Sequence, residues 1–429
     1  MKKINILREI IDNRLCVGCG SCFSACLNNA IMIDLKMDEG IFIPSINEDL
    51  CADCGRCVQV CPALEFDHLK LSCFDMNSIE SSDKLIGNYI KCYVGYSTDQ
   101  NLRKNSSSGG LVSELTRFLL TNEYISGAIL AKMNALNPLV PEPFIAKSEN
   151  DVLLGAGSKY CPVPMNSILK NLGKNKENYA FVGLPCHIKG LRKMQINNRL
   201  YDNIKFGLGL VCNHTPNFNS LKFIMKTLSI DVSSVKSIQF RGNGWPGQMN
   251  INLKDGSNIS VPYFSELYWG FVNAWFFWPL RCTLCKDKIN TFADISFMDA
   301  WHRIFNSDNI GTSLIIVRSE MAESIVNKAK IQGKIVLEEV DSKMVVDSQK
   351  LQDYYSTVEN RRSYLVSSNK SLKDLIPVAE NSRSNLNLYS SLFYFRNNLS
   401  QKEKFWPTIN FLRLIASQYK KIKGHSNKL

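Results

Sequence analysis

Two copies of one cysteine word constrain this chain more than anything else in it. Cys16, Cys19, Cys22 and Cys26 form the first copy and Cys51, Cys54, Cys57 and Cys61 the second, so both read C-x2-C-x2-C-x3-C. A tight loop with a cysteine at every third residue supplies three thiolates from one side of a small tetrahedron. The fourth comes from elsewhere, and this is the ligand run of cubane 4Fe-4S clusters. In two-cluster modules the fourth ligand belongs to the other run. That predicts Cys16, Cys19, Cys22 and Cys61 on one cluster and Cys51, Cys54, Cys57 and Cys26 on the other. Gly18, Gly20 and Gly55 lie inside the loops, where a missing Cβ lets backbone amides turn toward sulfur. Leu27 stands where a proline usually follows the fourth cysteine, a loss of loop stiffness that removes no ligand. Zinc knuckles and disulfide frameworks compete for such cysteines, but neither predicts the doubled four-cysteine run.

With 429 residues, 45% of them hydrophobic and 21% charged, the chain is large enough for two or three domains, of which the cysteine module takes residues 1–70. The opening segment carries Lys2, Lys3, Arg8 and Glu9 without a long apolar core, so no secretory signal is expected. The longest apolar run, Leu267 to Leu280, is too short to cross a bilayer and reads as a buried segment. Fifteen cysteines without a signal point to a reducing compartment, the cytoplasm, and to metal ligation. The formal charge of +12 is offset by clusters that carry a negative charge of about two each. No nucleic-acid-binding motif accompanies it.

Along the body, Lys91 to Tyr96 reads as a strand, and Ser106-Ser107-Ser108-Gly109-Gly110 feeds a helix with Leu111, Val112, Leu115, Phe118 and Leu119 at helical spacing. Such a loop offers amides and hydroxyls to a phosphate; the bland alternative is a serine cap that starts a helix. Tyr124 to Met133 and Phe144 to Lys147 read as strands, with Pro138, Pro141 and Pro143 in the loop between them. Lys159 sits in the small-residue turn Gly155 to Tyr160, placed either to meet a flavin or phosphate or simply to face solvent. Tyr179 to Val182 ends at Gly183-Leu184-Pro185-Cys186-His187 before a helix, and Phe206 to Val211 ends at Cys212-Asn213-His214. A strand, tight turn and helix is where α/β proteins place reactive groups. Ile238 to Trp245 and Asn250 to Leu253 read as a hairpin region, and Ala293 to Trp301 and Thr312 to Val317 as further strands. Cys186, Cys212, Cys282 and Cys285 are four thiols from three separated segments, enough to close a third cluster or to hold zinc. Cys73, Cys92 and Cys161 read as small buried hydrophobes.

Taken together, SSSGG at Ser106 to Gly110, GSKY at Gly157 to Tyr160, GLPCHIKGL at Gly183 to Leu191, CNHTP at Cys212 to Pro216, FRGNGW at Phe240 to Trp245, CTLC at Cys282 to Cys285 and DISFMDAW at Asp294 to Trp301 resemble the coenzyme F420 hydrogenase/dehydrogenase beta subunit family across roughly residues 10–320. The resemblance implies an iron-sulfur flavoprotein oxidoreductase with FAD in the body and a cluster beside it. Carried over by position, Ser107, Ser108, Gly109, Gly110 and Lys159 would line the flavin, and Cys186, Cys212, Cys282 and Cys285 would hold the adjacent cluster. Leu184 and His187 depart from the family's Thr-Pro-Cys-Gln, and Asn213-His214 from its Cys-His-Gly. His187 and His214 flank the junction, as proton carriers or as hydrogen-bonded loop histidines.

The expected architecture is α+β: a two-cluster ferredoxin-like domain (1–70), a mixed α/β flavin-binding body (71–170 and 171–345) and a helical basic tail (346–429). In the tail, Leu388, Leu392, Phe395, Phe405, Trp406 and Ile409 recur at helix-like intervals before Lys420, Lys421 and Lys423. That pattern suits a peripheral membrane contact or packing on the body itself. The expected partners are a redox protein or a small-molecule electron carrier, with a homo-oligomer as a further option. An electron-transfer subunit with no catalytic pocket is the alternative to an enzyme.

Overall fold

The computed structural model describes residues 2–65, 81–173, 176–197, 201–268, 276–369, 372–378 and 388–411. Near the N-terminus, β1 (Ile31–Lys36) and β2 (Ile41–Ile46) form an antiparallel hairpin between the two cysteine loops. Each loop ends in a short helix, Ser21–Ala25 or Arg56–Gln59, entered through a left-handed glycine, Gly20 at φ 87° or Gly55 at φ 77°. The sequence repeat is thus also a repeat of local structure. Gly20 has a second reason to be glycine, because a Cβ there would meet the Ser167 backbone nitrogen at 2.6 Å. The cysteine module therefore docks on the body through close backbone contact.

The hairpin β3 (Ser81–Asp83) and β4 (Gly87–Tyr89) leads into the body, whose centre is one eight-stranded sheet. Its strands are β5 (Lys91–Ser97), β6 (Gly127–Met133), β7 (Pro141–Ala146), β8 (Tyr179–Gly183), β9 (Ile204–Leu210), β13 (Ile295–Asp299), β14 (Ser313–Val317) and β15 (Ile335–Val340). They lie in the order β15-β5-β14-β13-β9-β8-β6-β7. Strands β6, β8, β9 and β13 run parallel, and β5 shares their direction through two antiparallel steps across β14. The three remaining strands of the body, β10 (Val235–Gln239), β11 (Gln248–Leu253) and β12 (Asn258–Pro262), make a separate small sheet. A single sheet thus takes strands from both expected halves of the body.

Alternation along the central strands fills two cores. Tyr93, Phe297, Ile315 and Val317 face helices Leu111–Thr121 and Glu320–Ile331, while Cys92, Val94, Met298, Leu314 and Ile316 face the opposite side. Cys92 and Cys161 are buried among apolar side chains, and Cys73 lies outside the described residues.

Two expectations change. Pro141 and Pro143 lie inside β7 and not in a loop, which is possible because β7 is the sheet's edge strand and its missing amides break no ladder. The hairpin partner of Gln248–Leu253 is Val235–Gln239, so Phe240 to Gly247 is a loop. The helical region after residue 346, expected either to pack on the body or to contact a membrane, begins with helix Leu351–Ser368, which buries Leu351, Tyr354, Val358, Arg361 and Arg362. Further on, Trp406 and Ile409 join the core around the small sheet, whereas Leu392 and Phe395 are exposed. Lys420, Lys421 and Lys423 lie outside the described residues. Among the described residues no helix is long and apolar enough to cross a membrane.

Arg362 shows how firmly this C-terminal helix is tied in. Fully buried, it donates to Leu284 O, to Pro377 O and, at 2.8 Å, to the Glu65 carboxylate, joining the end of the cysteine module to the body. Burial alone would raise the Glu65 carboxyl, but the Arg362 hydrogen bond and the charges of Lys189, Arg362 and Arg281 bring it down to about 2. A carboxyl held below its unfolded value stabilises fully above that value, near 4.5, and loses the effect as pH falls toward 2. In urea unfolding followed from pH 7 to pH 2, the wild type is expected to exceed Glu65→Gln above about pH 4.5. The two should converge below that; a constant gap would show that the carboxylate charge is not what matters.

Candidate functional site

The strands that share a direction end together, so their carboxyl ends gather the chemistry of the chain on one edge of the sheet. Ser106 to Gly110 follows β5, Trp301 follows β13, Cys212 follows β9 and Cys186 follows β8; Gly311 to Ser313, leading into the antiparallel β14, reaches the same edge.

In the N-terminal module the electrostatic neighbours sort into two groups. Cys61 acts on Cys16, Cys19 and Cys22, and Cys57 feels Cys54 and Cys26, with Cys22 and Cys57 as the point where the groups touch. The crossed arrangement of the two runs expected from the spacing calls for the same neighbours. Amides already point at sulfur, Gly18 N to Cys16 Sγ at 3.4 Å and Ala30 N to Cys26 Sγ at 3.3 Å. Burial pushes the Cys19 and Cys57 thiols up to about 11, so thiolates here need a cationic partner to form at neutral pH. The crossing gives an expected result: Cys61→Ala removes the cluster held mainly by Cys16, Cys19 and Cys22, and Cys26→Ala removes the other. Electron paramagnetic resonance on the pair checks this, and loss of the opposite cluster in each variant would reverse the assignment.

The body thiols also converge. Cys186, Cys212, Cys282 and Cys285 line one cavity of about 480 Å³, and each of the other three acts on Cys186. Two residues that carry no pattern in the sequence set this up. Asn290, fully buried with φ 61°, donates from Nδ2 to Gly183 O (2.9 Å) and Leu210 O (3.1 Å), clamping the ends of β8 and β9 that present Cys186 and Cys212. Asn166, also fully buried, donates from its backbone nitrogen to Cys19 O and from Nδ2 to Ser21 Oγ and His187 O. It holds the first cysteine loop against the Cys186 turn, and Cys19 accordingly acts on Cys186. Helix Leu351–Ser368 closes the cavity over the knuckle, with Tyr354 donating from its hydroxyl to Cys285 O at 2.9 Å.

Zinc is the competitor for these four thiols. Ligands about 2.3 Å from one zinc ion crowd together, whereas a cubane spreads its thiolates wider. Among the described residues no three His, Cys, Asp or Glu side chains come close enough to share a single ion. Four thiols lining one cavity make a complete donor set for a cubane.

Both candidate histidines border the same cavity. Leu184 N donates to His187 Nδ1 at 3.2 Å, so the ring caps its own helix, and burial takes its pKa down to about 4 despite a hydrogen bond to Val163. His214 is stacked on Trp278 at 4.0 Å; burial and then Arg361 take it down to about 3 despite a backbone hydrogen bond with Asn213. Both rings are neutral at pH 7. In the structure His187 caps its helix and His214 packs on Trp278.

The glycine- and serine-rich loops meet as a second unit. Ser107 Oγ accepts from Ser158 N (2.8 Å) and lies 2.9 Å from Ser158 Oγ. Ser108 Oγ donates to Thr312 O, and Gly109 N donates to Ser313 Oγ. Gly110, at φ 77°, is the left-handed start of helix Leu111–Thr121. Lys159 borders a cavity of about 270 Å³, yet its Nζ donates to the carbonyls of Gly155, Ala156 and Gly157, and burial takes its pKa down to about 8. The ammonium expected to meet a flavin or phosphate thus staples its own turn. The open donors belong to residues the sequence reading did not place in the site: buried Arg241 Nη2, Trp245 Nε1 and Ser106 Oγ have no partner among the described residues. Arg241 pairs through Nη1 with Asp299 at 2.7 Å and reaches Tyr160 of the lysine turn at 3.4 Å. FRGNGW was the available signal, since Gly242 and Gly244 hold positive φ on either side of Asn243, also at positive φ.

Comparison with known proteins agrees with this layout. Residues 15–64 match the 4Fe-4S dicluster domain, 92–170 the coenzyme F420 hydrogenase/dehydrogenase beta subunit N-terminal family and 176–343 its C-terminal family. The chain is 25% identical to the coenzyme F420-dependent sulfite reductase of Methanocaldococcus jannaschii over 83% of its length, and it spans about half (52%) of that protein. It is 25% identical to the coenzyme F420 hydrogenase subunit beta of Methanosarcina barkeri, covering 68% of this chain and 98% of that one. Among solved structures, a chain of the xenon-derivatised F420-reducing NiFe hydrogenase complex from Methanosarcina barkeri shares the fold, with a TM-score of 0.51 and 23% identity over 66% of this chain and 96% of that one. With a 4Fe-4S dicluster domain at its N-terminus and both halves of the family's body behind it, the chain belongs to the coenzyme F420 hydrogenase/dehydrogenase beta subunit family.

Proposed function

We propose that this protein is an oxidoreductase subunit that carries electrons through three thiolate-held clusters to a two-electron carrier bound at the carboxyl edge of the sheet. The observation that carries the reading is the position of Cys186, which feels its three body partners and also Cys19 of the N-terminal module. The thiol sets then form a line: Cys54, exposed at the surface, with Cys26, Cys51 and Cys57; next Cys16, Cys19, Cys22 and Cys61; finally Cys186, Cys212, Cys282 and Cys285. A redox partner protein would meet the exposed end. When bound, cubane clusters move single electrons and a flavin-type group moves one or two, which lets such a line serve a two-electron reaction.

The chain's own part is to place and insulate these groups. Asn166 and Asn290 fix the spacing of the ligand turns, and helix Leu351–Ser368 packs over the last thiol set through Tyr354. Arg241, Trp245 and Ser106 offer buried donors to an acceptor-rich ring or phosphate. Those donors fit FAD or coenzyme F420, the carrier named in the relatives. One observation favours the second reading, an electron-transfer subunit without its own flavin: Lys159, Ser107, Ser108 and Gly109 N are already engaged inside the protein.

Anaerobically purified protein separates the two. Flavin released on denaturation, or reduction of added F420 or FAD by protein loaded with electrons from dithionite, supports the oxidoreductase. Protein that fills its clusters but binds neither carrier overturns it in favour of the electron-transfer subunit.

A further inference from the structure

The cavity that gathers the body thiols also contains two cations that make no salt bridge among the described residues and feel Glu65 only through space. Arg281 is 8% exposed and its Nη1 is buried without a hydrogen bond; Lys189, one turn beyond Cys186, makes no hydrogen bond or ion pair among the described residues. The other charges lining the cavity are accounted for. Arg362 is held by Glu65 and Lys286 by Glu359; of the remaining lining charges, Lys84, Lys189 and Arg281 are positive and Asp287, which acts on Lys189, is negative. What is left is a charge of about +2 facing four thiols, and a cubane held by four thiolates carries about −2 in its oxidised state. A buried charge of that size is tolerated only beside compensating charge.

We propose that Arg281 and Lys189 are the counter-charges of the body cluster and set the potential at which it accepts an electron. The inference rests on the third-cluster reading given above. Both cations already act on the ligands: Arg281 favours the thiolates of Cys282 and Cys285, and Lys189 that of Cys285. Reduction adds one electron to the cluster and takes its charge from about −2 to about −3, so a neighbouring positive charge stabilises the reduced form more than the oxidised one. Removing either charge disfavours reduction, and restoring it with a different side chain should bring the potential back.

The test is a dithionite titration monitored by electron paramagnetic resonance on the full-length, cluster-loaded protein. Arg281→Gln and Lys189→Gln are each expected to lower the equilibrium constant for reducing the body cluster about tenfold, a downward shift of about 59 mV for one electron. Arg281→Lys and Lys189→Arg should stay near the wild type. If a glutamine variant fails to load the cluster, loading rescued by the charge-conserving variant still supports the proposal. Failure of both variants alike shows a steric role and overturns it. Unchanged potentials in fully loaded glutamine variants also overturn it. Wild-type protein that stops at about eight irons, four per cubane, refutes the third cluster itself, a separate failure visible before any variant is made.

Discussion

Replacing Cys212 with serine is expected to leave about eight irons on a chain that binds about twelve, four per cubane, while the two N-terminal signals persist. Cys212 sits where β9 ends, held by its own amide on Lys288 O at 2.9 Å, and it shares a cavity with Cys186, Cys282 and Cys285. A serine there keeps the shape and removes a thiolate, so the loss reports on ligation. Cys92→Ser is the control, because Cys92 is 1% exposed in the apolar core beneath the sheet and feels no other cysteine. Its substitution should cost stability and leave the iron count alone. The body cavity should also matter for electron passage: with only the first two thiol sets filled, dithionite should still bleach the N-terminal clusters while electrons fail to reach an added carrier. Twelve irons in Cys212→Ser, or equal loss in Cys92→Ser, would show that these four thiols do not act as one set.

Parts of this arrangement were readable from residues alone, for identifiable physical reasons. Ligand spacing is a local property, so the 4Fe-4S dicluster domain that residues 15–64 match was legible in the eight N-terminal cysteines, while the crossing of Cys26 and Cys61 is the pattern of two-cluster modules and awaits its variants. Cys186 and Cys212 were readable because turns that follow parallel strands gather on one edge. What stayed hidden were the residues that act at a distance. Asn166 and Asn290 are single asparagines whose side chains join segments far apart in the chain, and no periodicity marks such a residue. Arg362 likewise looks like an ordinary charge on a helix until its partners, Glu65, Leu284 and Pro377, are seen. Lys159 could be read toward an anion or toward solvent, and the three nearby carbonyls that accept from it were not visible in the sequence. The prolines of β7 misled because proline excludes a central strand but not an edge, and edge position is fixed only by the whole sheet.

Arg241→Ala is expected to destabilise the protein by about 3–5 kcal/mol, the usual cost of leaving a buried ionic partner alone. Arg241 is 2% exposed; its guanidinium holds Asp299 at 2.7 Å, donates through Nε to Pro246 O at 3.0 Å and lies 4.8 Å from the centre of the Tyr263 ring. The Asp299 carboxylate, 15% exposed, would be left with no cation in its place. Stability alone does not say whether Arg241 also serves a ligand, so the decisive protein is the double variant Arg241→Met with Asp299→Asn. Removing both charges together should recover most of the loss, since a buried pair replaced as a unit is often near neutral. Carrier binding should not recover, because Nη2, the one guanidinium nitrogen with no partner, is gone in both proteins. Urea unfolding measures the first effect and equilibrium binding of F420 or FAD to the cluster-loaded protein measures the second. A double variant that is stable and binds the carrier as the wild type does would make Arg241 purely a structural pair for Asp299. One that is stable and binds neither carrier places the guanidinium in the carrier site, beside Tyr160 and the serine loop.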